Sequence, residues 1–114
     1  MSLAAFLKKL KEASETVTFD NTLSIIEEHY VFQETAFENG EITNVSGQNN
    51  GSCKIFALGH INNLTEEQTL NCFGDYYRKD VLGNPHGDDH QNIRNFIKHG
   101  WQGIHLNGEA LTLK

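Results

Sequence analysis

Two Asn-Gly dipeptides, Asn39-Gly40 and Asn107-Gly108, punctuate a chain that otherwise reads mostly as helix. Asn-Gly between apolar segments is a strong hairpin signal, because both central residues of a type I′ turn need positive φ. Val31, Phe32 and Phe37 precede the first pair, and Ile42 and Val45 follow it. Ile104 and Leu106 precede the second, and Leu111 and Leu113 follow it. The pattern predicts two hairpins and a small antiparallel sheet.

The helical segments are read from apolar spacing and caps. Leu3, Phe6, Leu7 and Leu10 recur at helical steps, which predicts a first helix over 3–15. Asp20 is the candidate cap of a second helix whose stripe is Leu23, Ile26 and Tyr30. Residues 46–51 read as a polar loop. Ser52 to Leu58 fits a short buried strand or a helix; Ser52 as an N-cap favours helix. Thr65 with Gln68 makes a capping box opening a fourth helix over 66–82, with Leu70, Phe73, Tyr77 and Val81 on one face. Gly74 falls in that same sector, so close backbone approach by a neighbouring element is expected there. After the break at 83–87, Asp88 with Gln91 reads as the capping box of a helix ending near His99 and closed by Gly100. The expectation is a single α+β domain over 1–114, with about five helices packed on the hairpin sheet.

Composition narrows the function classes. A length of 114 residues suffices for one core, and 38% hydrophobic with 21% charged residues is the balance of a folded chain. A formal charge of −6 opposes nonspecific attraction to phosphate backbones, so nucleic acid is not an expected partner. No apolar stretch approaches the roughly 20 residues that span a bilayer, and no Sec-type export signal is read at the start. Cys53 and Cys72 lie in regular apolar segments and are expected as thiols, which implies folding in a cytoplasm.

Chemistry concentrates around the start of the last helix. His86, Asp88, Asp89 and His90 are followed by Arg94, and a helical projection places Asp89 and His90 at the edge of the buried sector, with Arg94 nearer solvent. An acid beside an imidazole is the arrangement of a general base, and also of a cap with a hydrogen-bonded histidine. Cys53 in a first helical turn would gain nucleophilicity from the helix dipole. With His90 as base, Asp88 or Asp89 as orienter and Gln48 as oxyanion donor it would form a thiol hydrolase or acyltransferase site. An inert buried cysteine is the alternative. His86 and His90 stand four apart and form a generic metal alternative. Tyr76, Tyr77, Arg78 and Trp101 are the residue types of recognition surfaces, although Tyr77 belongs to the core stripe and Trp101 suits a packing role.

The blocks Gly51-Ser52-Cys53-Lys54-Ile55-Phe56, Phe73-Gly74-Asp75-Tyr76-Tyr77-Arg78-Lys79-Asp80-Val81-Leu82, Asp89-His90-Gln91-Asn92-Ile93-Arg94-Asn95-Phe96 and Gly100-Trp101 resemble the HopJ family, small bacterial proteins described as type III effectors. The likeness runs from about Leu23 to Lys114. It implies a protein made in the bacterial cytoplasm and delivered into a host cell through a type III system. It names no reaction and no cofactor, so the first reading is a non-enzymatic protein that binds a protein or small-molecule partner, with Tyr76, Asp88, Arg94 and Gln48 as candidate contacts. The alternative is a small hydrolase or acyltransferase using Cys53 with His90. A homodimer formed through the hairpins stays open. The amphipathic N-terminal stripe departs from the polar, Ser-rich leaders of type III substrates.

Overall fold

The computed structural model describes residues 1–114. Helix α1 (Leu3–Glu12) starts at Ser2, whose hydroxyl accepts the Ala5 N–H at 3.0 Å, and it buries Phe6 and Leu10. It ends short of 15, because a 3-10 turn over Ser14–Thr16 redirects the chain. Helix α2 (Phe19–His29) is capped by Thr18 rather than Asp20. Thr18 Oγ1 accepts the Asn21 N–H at 3.0 Å and Asn21 Oδ1 accepts the Thr18 N–H at 3.2 Å, satisfying two donors that the helix end would otherwise leave open. Its inward residues are Thr22, Ile25 and Ile26, with Leu23 only half-buried.

Five short strands follow no simple hairpin order. Strands β1 (Tyr30–Phe32) and β5 (Leu111–Leu113) form one antiparallel pair, while β2 (Phe37–Asn39), β3 (Ile42–Asn44) and β4 (Ile104–Leu106) form a sheet of order β3-β2-β4. The first Asn-Gly does mark a hairpin, shifted by one residue. Asn39 pairs with Ile42, so Gly40 and Glu41 are the central turn residues, and only Gly40 has positive φ, at 60°. Asn39 is a fully buried strand residue.

The second Asn-Gly is not a hairpin, which corrects the sequence reading. Leu106 pairs with Phe37, and the Asn107 N–H continues that ladder by donating to the Ala36 carbonyl at 3.0 Å. The Ala110 carbonyl accepts from Gln33 at 2.8 Å, which commits the next strand to β1. Two long-range ladders therefore pull β4 and β5 apart, and the local turn signal loses.

Helix α3 (Asn50–Ile61) settles the strand-or-helix ambiguity in favour of helix. Ser52 lies inside it and is not its cap. Helix α4 (Glu66–Asn71) has the expected Thr65/Gln68 capping box, with bonds of 2.9 and 3.1 Å. It does not run to 82. Gly74 has φ +62°, and a Cβ there would stand 2.6 Å from the Phe19 backbone nitrogen, so the start of α2 is the neighbour that the glycine admits. Beyond it the chain resumes as a π-helical segment over Tyr76–Val81, with the Leu82 N–H bonded to the Tyr77 carbonyl five residues back. Arg78 holds this junction: its guanidinium donates to the Ser14, Val17 and Asn71 carbonyls, so it is structural rather than a recognition contact.

Helix α5 (Gln91–His99) packs Ile93 and Phe96 into a core of 22 buried residues. Phe56 is central, with ring centroids 6.0 Å from Phe37, 5.7 Å from Phe73 and 5.0 Å from Phe96. Phe96 in turn meets Trp101 edge-on at 5.0 Å. Each fully buried aromatic contributes on the order of 2–3 kcal/mol by burial. Ile97 is exposed, whereas Asn92 is buried.

Candidate functional site

The capping box expected at Asp88 is absent. Helix α5 begins after His90, which has φ 50° and gives no side-chain cap, and Gln91 Nε2 donates to the Asp88 carbonyl at 2.5 Å. Asp88 and His86 are exposed. Arg94 is not turned to solvent: its side chain is only 12% exposed because it folds back over the loop. It donates through Nε to the Asp89 carbonyl and through a terminal nitrogen to the Asp89 carboxylate, both at 2.6 Å, and reaches the Asn84 carbonyl at 3.0 Å. The hydrogen bond from Arg94 is the main reason the Asp89 carboxyl is held below the usual carboxylate range. Arg94 therefore builds the loop.

Cys53 and His90 do not form a pair. Asn50 is the first residue of α3, so Cys53 sits beyond the open first turn and its N–H is already bonded to the Asn49 carbonyl at 3.0 Å. The thiol is fully buried against the Thr35 carbonyl at 3.5 Å, and burial pushes its pKa up. A desolvated thiol with a raised pKa is the opposite of an activated nucleophile. Gln48 is exposed, and its Oε1 accepts the Val45 N–H at 3.3 Å, closing a turn instead of offering an oxyanion donor. These placements give the cysteine-dependent reading no geometric support. No group of three or more His, Cys, Asp or Glu side chains is arranged to hold a metal ion.

His90 and Tyr76 do share a recess. The imidazole Nε2 lies 3.1 Å from Asp80 and 3.8 Å from Asp89, and the ring stands 5.2 Å from Tyr76, which meets Phe19 edge-on at 5.0 Å. Asp80, the closer acid, lies in the preceding helical segment, ten residues before His90, where no spacing around the start of α5 points to it. The cleft beside these rings measures about 490 Å³. Asn49, Gly51 and Ser52 line it from α3, and His90 to Ile93 line it from α5.

Both helices open onto this cleft without caps. Asn49 and His90, the residues before each helix, are left-handed with φ 55° and 50°. Their side chains are committed elsewhere: Asn49 Nδ2 donates to Asn44 Oδ1 at 2.7 Å, and His90 bonds Asp80. The first intrahelical bonds are Cys53 N–H to Asn49 and Arg94 N–H to His90. The N–H groups of Asn50, Gly51, Ser52, Gln91, Asn92 and Ile93 consequently have no partner within the chain. A buried polar network fixes the two ends relative to each other. Asn92 Nδ2 donates to Asn44 Oδ1 at 3.0 Å, and Asn92 Oδ1 accepts from Asn39 at 3.0 Å and from Asn44 at 3.3 Å.

A larger groove of about 1010 Å³ lies between Trp101 and strands β4 and β5. It contains none of the Cys53, His90, Asp88, Asp89, Arg94, Tyr76 or Gln48 positions, so size and candidate chemistry point to different places. The cleft at Tyr76 and His90 collects Gly51, Ser52, Phe73 and the residues from His90 to Ile93, three of the blocks that carry the family resemblance.

The solved structure described as "unknown function protein VPA0580" is similar to this chain, with 50% sequence identity and a TM-score of 0.99 over 100% of this chain and 95% of that one. No match is found among curated proteins. No helix is long and apolar enough to cross a membrane. The family model described as HopJ type III effector protein matches residues 3–111, and the chain belongs to that family.

Proposed function

We propose that this HopJ protein is a non-enzymatic binding protein that holds an anionic group, a phosphate or carboxylate of its partner, in the cleft between the starts of α3 and α5. The observation that carries this reading is the set of six unpaired backbone N–H groups at two helix starts, five of them on residues that line one recess. Each helix start carries about half a positive charge, and such ends bind anions without needing basic side chains. That matters here, because the net charge of −6 provides no long-range attraction. The exposed Tyr76 ring and Phe19 supply an apolar wall for whatever bears the anion.

Thermal unfolding in inorganic phosphate, against chloride at matched ionic strength, tests the reading. Saturable stabilisation is expected, about 1.4 kcal/mol at ten times the dissociation constant. Ser52→Asp places a carboxylate at the same N–H groups and should abolish the phosphate effect. Equal stabilisation of the variant, or none of the parent, would reject the cleft. Delivery into a host cell through a type III system belongs to the same proposal and is supported by the family. A secretion-dependent translocation reporter fused to the chain tests it.

A further inference from the structure

The bend between β4 and β5 leaves a reactive pair of residues uncovered. Asn107 and Gly108 are both exposed and belong to no helix or strand. The Asn107 N–H is held by the Ala36 carbonyl at 3.0 Å, and pairing resumes only where the Ala110 carbonyl accepts from Gln33 at 2.8 Å. Between those two bonds the Gly108 N–H has no acceptor, and the Asn107 side-chain amide has no hydrogen-bond partner. A Cβ built on Gly108 would meet only Thr35 Cγ2, at 3.7 Å, so the backbone there is uncrowded. The chain holds two other Asn-Gly pairs, and each is locked. Asn39 is fully buried, with Nδ2 donating to the Asn92 carbonyl at 2.8 Å, and the Gly40 N–H donates to the Gly103 carbonyl at 2.9 Å. Asn50 donates through Nδ2 to Glu34 at 3.1 Å. Its Gly51 N–H is unpaired, but Asn50 is the first residue of α3, and helical backbone angles turn the next nitrogen away from the side-chain carbonyl.

We infer that Asn107 is a site of self-modification, where the folded chain deamidates spontaneously with water as the co-reactant. The Gly108 nitrogen gives its proton to water or hydroxide and attacks Asn107 Cγ. The new N–Cγ bond forms as the Cγ–Nδ2 bond breaks, and Nδ2 leaves as ammonia with a proton taken from water. Glycine favours this closure because no Cβ hinders its nitrogen. Water then opens the cyclic imide. Attack at Cγ returns the main chain to its normal path and gives aspartate; attack at the Asn107 backbone carbonyl leaves the chain running through Cγ and gives isoaspartate. One water is consumed and one ammonia released in total, with no oxidation or reduction. Either product makes the chain one unit more negative than its formal −6. The new carboxylate joins Glu34 and Glu109 around a polar cleft of about 380 Å³ that Asn107 helps to line. Isoaspartate also adds a methylene to the main chain at the point where β4 and β5 part into different sheets. Anion capture between α3 and α5 uses none of these atoms, so the two proposals stand or fall separately.

Peptide mass spectrometry on the native protein, held warm at neutral pH and sampled over time, tests the inference. Conversion at Asn107 should exceed that at Asn39 or Asn50 by more than about tenfold, because those two must wait for local opening. In guanidinium chloride, where the fold no longer distinguishes the three sites, all should convert within a few-fold of one another. Gly108→Ala puts a methyl at ordinary contact distance from Thr35 and should slow conversion of Asn107 about tenfold, with unchanged circular dichroism. Asn107→Asp marks where the aspartate product elutes on ion exchange, and the ageing parent should build a species there. Three results overturn the proposal. The first is an Asn107 that stays intact in the native protein while converting in the unfolded one. The second is equal native rates at all three sites. The third is a Gly108→Ala variant that converts as fast as the parent.

Discussion

His90 Nε2 stands 3.1 Å from the Asp80 carboxylate, and that bond takes the imidazole away from the start of its own helix. With Asn49 likewise bonded to Asn44, two helix ends facing one cleft are left uncapped. Each would ordinarily lose on the order of 1 kcal/mol for want of a cap. An anion seated there would recover that loss.

The polar scaffold behind the cleft should prove costly to disturb. Asn92 is 8% exposed and engages Asn39 and Asn44 through both ends of its amide. Asn92→Ala removes the side-chain hydrogen bonds that buried Asn44 and Asn39 make with it and leaves a cavity beside them, and should destabilise by about 2–4 kcal/mol in urea denaturation. A loss under about 0.5 kcal/mol would show that the network contributes little to folding.

Gly74→Ala should be as damaging for a different reason. The residue is left-handed, and the new methyl would meet Phe19 N at 2.6 Å and the Thr18 carbonyl carbon at 3.2 Å, both backbone atoms that cannot rotate aside. A loss of about 2–4 kcal/mol is expected from strain and overlap together. Near-neutral behaviour would mean that α2 and α4 separate easily.

Acid should weaken the loop before α5. The Asp89 carboxyl is held low chiefly by the Arg94 hydrogen bond; that of Glu41 is held low first by a backbone hydrogen bond and then by His99. Depressed folded values mean stability that is full above the ordinary carboxylate range and is lost as pH falls from there through the folded values. Carbon-detected NMR titration should place both midpoints below those of ordinary carboxylates, and Arg94→Gln should return Asp89 toward the normal range while leaving Glu41 unchanged. An unaltered Asp89 midpoint in the variant would refute the assignment.

Both thiols should label slowly. Cys72 is fully buried with its pKa pushed up to about 12, and Cys53 is fully buried with its pKa raised. Alkylation near neutral pH should therefore track transient unfolding, with rates that rise together in mild denaturant. Rapid labelling of Cys53 alone in native buffer would support a nucleophilic role.

Local signals were readable where a local interaction decides the outcome. The Thr65/Gln68 box, the helix over Cys53 and the close approach at Gly74 all follow from residues within a turn of one another or from the special geometry of glycine. Long-range competition was not readable. Asn107-Gly108 carries the same dipeptide as Asn39-Gly40, yet the pairing of Leu106 with Phe37 and of Leu111 with Phe32 draws its flanks into different sheets. Residue type favours serine at 52 as the cap of α3, whereas Asn49 turns left-handed and starts the helix earlier. The acid partner of His90 stands in a separate segment across the 83–87 break, and only the tertiary packing of that segment against α5 brings Asp80 to the imidazole.

Amide NMR during titration with inorganic phosphate tests anion capture most directly. Saturable shifts confined to Asn50, Gly51, Ser52, Gln91, Asn92 and Ile93, with the Tyr76 ring responding alongside, are the expected result. Shifts that follow the surface lysines, or grow linearly without saturating at any of these six amides, would show that the cleft is not a binding site.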